Sequence, residues 1–74
     1  MVMSDPEFTG VVANRIWRER VRQGMSRREL AERTGITQES IFKIDTTRRG
    51  MRFYVAYRMC EALGMDVADL IREE

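Results

Sequence analysis

Seventy-four residues with one cysteine and no histidine exclude an internal disulfide and a Cys/His zinc site. No run approaches the roughly 18 apolar residues of a membrane span, and no basic-then-apolar segment opens the chain as a secretion signal would. The formal net charge of +1 taken alone argues against a polyanionic partner, but its distribution is uneven: residues 15–58 hold 12 of the 13 Arg/Lys and 5 of the 12 Asp/Glu, a net of +7, against −6 for the rest.

A chain this long makes one domain, near the lower limit for an apolar core without metal or disulfide support. Residues 1–9 read as a flexible leader and residues 10–74 as the domain. Asp5-Pro6-Glu7 offers one helix start, with a capping Asp and Pro at the first position. Thr9-Gly10 offers a second, so a helix is expected by residue 11, running to residue 23. Val12, Ile16 and Val21, with Ala13 and Trp17 beside them, keep rough 3.6-residue spacing. Trp17 stands at the edge of that stripe, either flanking the core or facing a partner.

The central stretch, SRRELAERTGITQESIFKIDT, reads as two short helices joined by a tight turn, over about residues 27–34 and 38–45. Ser26 followed three residues later by Glu29 is a capping box, in which each side chain can satisfy the other's backbone N–H. Gly35 stands where the first helix must stop in a left-handed conformation. Thr37 then offers its hydroxyl as the cap of the second helix. Leu30, Ala31, Ile36, Ile41 and Ile44 are apolar where the two helices can share a buried seam, and Ala31 is small where they pass close. This is a helix-turn-helix pattern, whose second helix enters the DNA major groove in proteins that use it.

Gly24-Met25-Ser26, Gly35-Ile36-Thr37 and Gly64-Met65-Asp66 share one grammar: glycine ends a helix, an apolar residue follows, and a capping residue starts the next helix. The apolar residue can staple onto the fourth helical position, pairing Met25 with Leu30, Ile36 with Ile41 and Met65 with Leu70. The segment TTRRGMR is a polar, basic loop. A fourth helix spans residues 53–63, with Phe53, Ala56, Met59, Cys60 and Leu63 on its apolar face and Tyr54 and Tyr57 elsewhere. Cys60 reads as a small core hydrophobe. Asp66 to Asp69 starts a fifth helix, and Val67, Leu70 and Ile71 close the core. Turns this short predict a compact all-α domain of five helices, not an up-down bundle.

Ala31, Gly35 and Ile41 stand at the fifth, ninth and fifteenth places of a unit counted from Arg27, and Leu30, Ile36 and Ile44 fill its apolar places. In this register the chain resembles the Cro/repressor-type helix-turn-helix domains of phage and bacterial regulators, over about residues 12–71. The resemblance implies a lambda-repressor-like fold, and it draws the basic central segment into a DNA-binding reading.

The exposed face of the second helix of the motif would be Thr37, Gln38, Glu39, Phe42 and Lys43. Gln38 can pair with adenine, Lys43 can donate to guanine, and Glu39 can accept from a cytosine amino group. Phe42 either meets a thymine methyl or is half-buried at the core edge. The resemblance makes the places of Gln38, Glu39 and Lys43 base-reading ones. It also makes Arg27 a phosphate contact, puts Arg48, Arg49 and Arg52 on the backbone or minor groove, and makes Arg20 and Asp45 a partly buried structural ion pair. The loop departs from the family, with Thr47 and Met51 where Gly and Pro are common and Arg52 where Ser often caps helix four.

No Ser/His or Cys/His pairing, Gly-rich phosphate loop or clustered metal ligands are present, so no enzyme, metal or cofactor is expected. The leading expectation is a sequence-specific transcriptional regulator, a small phage- or plasmid-type repressor of double-stranded DNA. It would be cytoplasmic and bind a palindromic operator as a homodimer, weak off DNA, with no small-molecule effector. The resemblance places the dimer contact near Met51, Met65, Val67 and Asp69. The alternative is a protein-interaction module on the same fold, antitoxin-like or an adaptor, using Trp17, Phe42, Tyr54 and Tyr57.

Overall fold

The computed structural model describes residues 5–48 and 51–71, with side chains over 9–48 and 51–70. Five helices follow one another: α1 Asp5–Arg22, α2 Arg27–Thr34, α3 Gln38–Thr47, α4 Phe53–Leu63 and α5 Val67–Ile71. α1 packs against α3, α4 and α5, and α2 packs against α3 and α4, so α2 and α3 are mounted on a scaffold of the other three. Among the described residues no helix is long and apolar enough to cross a membrane.

The breaks between helices follow from capping. Gly24, Gly35 and Gly64 all take positive φ, which a residue lacking Cβ adopts without strain. The amide of Gly35 bonds back to Ala31 O at 2.9 Å, stopping α2 abruptly enough for α3 to start three residues later. Ser26 Oγ accepts from Glu29 N at 3.0 Å, while the Glu29 carboxylate lies 2.7 Å from Arg33. Met25, Leu30, Ile41 and Leu70 are buried, and Ile36 and Met65 pack against them, so all three expected staples join one core. Leu30, Ile41, Met59 and Cys60 are its most enclosed side chains. Truncating Leu30 or Ile41 to Ala would cost about 3 kcal/mol from lost transfer energy and the cavity left behind.

Three expectations need correction. α1 begins at Asp5, the earlier of the two starts, so residues 5–9 are helix and not leader. Val21 is half exposed, and Arg20 takes its place in the buried stripe. A helix turns about 100° per residue, which puts residue 20 about 40° from Ile16 and residue 21 about 140° away. Phe53, expected on the apolar face of α4, is 73% exposed. It is the first residue of α4, and helical side chains lean toward the N-terminus, so its ring overhangs the edge of the core. There it lines a shallow apolar groove with Met51, Val67 and Leu70.

Candidate nucleic-acid interface

α3 buries Ile41 and Ile44 and leaves Gln38, Glu39, Phe42 and Lys43 exposed. The burial of two isoleucines three residues apart fixes the rotation of the helix, so four of the five expected base readers share its outer face. Thr37 is exposed as well, but its hydroxyl is engaged twice. It accepts from Ser40 N at 3.2 Å and donates to Ser40 Oγ at 2.9 Å, capping α3.

Asp45, near the C-terminal end of α3, is the electrostatic centre of the region. Its side chain is 8% exposed, and a single oxygen, Oδ2, accepts from Arg20 Nη2 at 3.0 Å and from Arg27 Nε at 2.8 Å. Arg20 also donates through Nη1 to Met25 O at 2.8 Å, linking α1 to the turn before α2. Its Nε is buried and has no hydrogen-bond partner among the described residues. One carboxylate thus ties together α1, the start of α2 and α3. Resemblance named Arg20 and Asp45 as a pair; the structure adds Arg27 as a second cation on the same oxygen.

Arg27 is the first residue of α2, and its side chain remains 41% exposed. Its guanidinium carbon lies 5.0 Å from the centroid of the Phe42 ring. Phe42 itself is 54% exposed, with the Arg27 cation over its ring. Arg27 therefore joins the outer face of α3, where Phe42 is one helical turn from Gln38 and adjacent to Lys43.

The loop arginines fall into different situations. Arg48 has φ 56°, the one non-glycine positive φ among the described residues, and caps the end of α3. Its side chain turns back onto the domain, donating from Nε to Asp45 O and from Nη1 to Asn14 Oδ1, at 2.8 and 2.7 Å. It also covers Trp17, which is half-buried on α1. Arg52 is exposed at the cap position of α4 and makes no side-chain cap hydrogen bond. Arg49, expected beside them, lies outside the described residues.

Two further arginines hold the scaffold and were not singled out from the sequence. Arg58 on α4 donates to Thr34 O at 3.2 and 3.3 Å, capping the end of α2. Arg15 on α1 donates to Asp69 O and Leu70 O at 2.8 and 3.0 Å, anchoring α5. Cations on exposed helix carbonyls are favourable, but the pairing of residues 24 and 54 apart has no local signature.

The geometry is that of a helix-turn-helix with a polar outer helix and a clamped arginine at its flank. The profile of the Cro/C1-type HTH DNA-binding domain matches residues 15–73. The chain belongs to that family. No curated protein and no solved structure matches it. As a Cro/C1-type domain it is a DNA-binding domain, and α3 is the second helix of its motif.

Proposed function

We propose that the protein is a sequence-specific transcriptional regulator, a small phage- or plasmid-type repressor that binds a palindromic operator as a homodimer. The observation that carries this reading is the shared outer face of α3, where Gln38, Glu39 and Lys43 stand exposed beside Arg27. Gln38 addresses adenine, Lys43 guanine and Glu39 a cytosine amino group. Arg27 and Arg52 address the phosphates, and the family resemblance gives Arg49 the same role; these contacts supply salt-sensitive affinity and register. Arg48 is engaged with Asn14, Trp17 and the end of α3, so its contribution to DNA is to shape the loop.

A single short helix makes few base contacts, and two half-sites a helical turn apart supply what one lacks. The groove at Met51, Phe53 and Val67 is the surface for the second copy, because an exposed apolar edge of this kind gains by being covered. The exposed aromatics of α4, Phe53, Tyr54 and Tyr57, also favour the second reading, a protein-interaction module on the same fold.

The test is selection of bound sequences from a pool of random duplex DNA across a salt series. A palindromic consensus with affinity falling steeply as salt rises supports the dimeric repressor. Substituting Gln38 or Lys43 should change which bases are enriched, whereas Arg27→Ala should weaken all sites alike. Absence of binding at low salt would retire the DNA reading in favour of a protein partner.

A further inference from the structure

We propose that Phe42 is a positioning residue for Arg27 and not a reader of bases, the ring and the Asp45 carboxylate together aiming one guanidinium at a DNA phosphate. The inference rests on the DNA-binding reading above and assigns a different task to one residue of the recognition face. Three observations carry it. Arg27 Nε is held at 2.8 Å by Asp45 Oδ2, from a carboxylate that is itself 8% exposed. The guanidinium carbon lies over the Phe42 ring, 5.0 Å from its centroid. The two Nη groups make no hydrogen bond to any described residue, and the side chain stays 41% exposed.

An arginine fixed at Nε and supported on one face keeps its far edge available in a defined direction. An isolated surface arginine has several rotatable bonds to immobilise on binding an anion, and that entropy is lost from affinity. Here the folded domain has already ordered the side chain. Arg27 is also the first residue of α2, where the backbone N–H groups of the helix end favour an anion. The ring of Phe42 has one face occupied by this cation, which explains an aromatic residue that is 54% exposed on an otherwise polar helix face.

The discriminating experiment measures binding to the selected consensus duplex and to single-base variants of it, for wild type, Phe42→Leu, Phe42→Tyr, Arg27→Ala and the Arg27→Ala/Phe42→Leu double variant. Thermal melts of each accompany the measurements. Phe42→Leu should lower affinity about threefold, equally on every duplex, the size expected from an exposed cation–π contact. Phe42→Tyr keeps the ring and should restore wild-type affinity. Arg27→Ala should lower affinity about tenfold and reduce the log–log salt slope by about 0.9, one phosphate. In that background Phe42→Leu should cost nothing further. A change in the preferred base on Phe42→Leu, or a full threefold loss persisting without Arg27, would overturn the proposal while leaving the DNA reading intact. If the wild type binds no duplex at low salt, the DNA reading itself fails and takes this assignment with it.

Discussion

The guanidinium of Arg48 lies over the indole of Trp17, 4.9 Å from the carbon to the ring centroid, and joins the end of α3 to the middle of α1. The contact is made by a residue in the left-handed region, φ 56°, where a side chain costs about 1 kcal/mol relative to glycine. Contacts to Trp17, Asn14 and Asp45 O offset that strain.

Arg48→Ala should therefore destabilise by about 1–2 kcal/mol, since it keeps the strain and loses the contacts. Arg48→Gly should lie about 1 kcal/mol above Arg48→Ala, because the backbone is relieved. Both should shift Trp17 emission to longer wavelength as water reaches the ring. Equal melting temperatures for the two variants would contradict the strain argument.

The two cations on Asp45 make the ion-pair positions unequal. Arg20→Ala leaves Asp45 paired with Arg27, whereas Asp45→Ala leaves Arg20 buried with only Met25 O. Removing the carboxylate should cost about 3 kcal/mol, and removing Arg20 noticeably less. Urea midpoints at constant m-value measure the order; Arg20→Ala being the worse of the two would show that Arg27 does not compensate.

Thr37 should matter through its cap. Thr37→Ala removes the acceptor for Ser40 N and should lower stability by about 1 kcal/mol, while Thr37→Ser should be near neutral. Base selection by Thr37→Ser should match wild type. A changed consensus for that variant would assign the threonine a direct reading role beyond the cap.

Cys60 is fully enclosed, and burial, with lesser contributions from Asp69 and Asp66, pushes its thiol up from 9.0 to about 11. The folded state then holds a proton that the unfolded state has released between those values, so stability falls as pH rises across the interval. The contribution is complete below pH 9.0 and should decline by about 2 kcal/mol toward pH 11. Comparing wild type with Cys60→Ala isolates it: the alanine variant should lose less stability between the two pH values. In the native state a thiol-exchange reagent should react with Cys60 only at the rate of opening.

Phe53→Glu places a charge on the exposed rim of the groove with Met51 and Val67. Since the ring is 73% exposed, the melting temperature should move only by the equivalent of about 0.5 kcal/mol. If this edge joins two copies, affinity for a two-half-site duplex should fall on the order of a hundredfold, with little change on a single half-site. Sedimentation on and off DNA gives the stoichiometry directly; an unchanged dimer would move the contact elsewhere.

The helix boundaries around the motif were readable because their causes are local. Ser26, Gly35, Thr37 and Gly64 act within a few residues of themselves, and the bounds of α2 and α4 coincide with the expectation. The rotation of α3 was readable for the same reason, since Ile41 and Ile44 point one face inward wherever the helix is placed. Apart from the Arg20–Asp45 pair that the family resemblance implied, no pattern in the chain determined which partner each arginine meets. Arg27 and Arg48 look alike in sequence as basic residues near the motif. Only tertiary packing separates them: α2 against α3 directs Arg27 onto Asp45 and Phe42, and α1 against α3 directs Arg48 onto Trp17 and Asn14. Long side chains reach across elements that lie far apart in the chain, so their partners are set by tertiary distance and not by spacing. Val21 and Phe53 were misplaced on different grounds: Val21 lies off the buried stripe by rotation, whereas Phe53 has the right direction but stands where the core has ended.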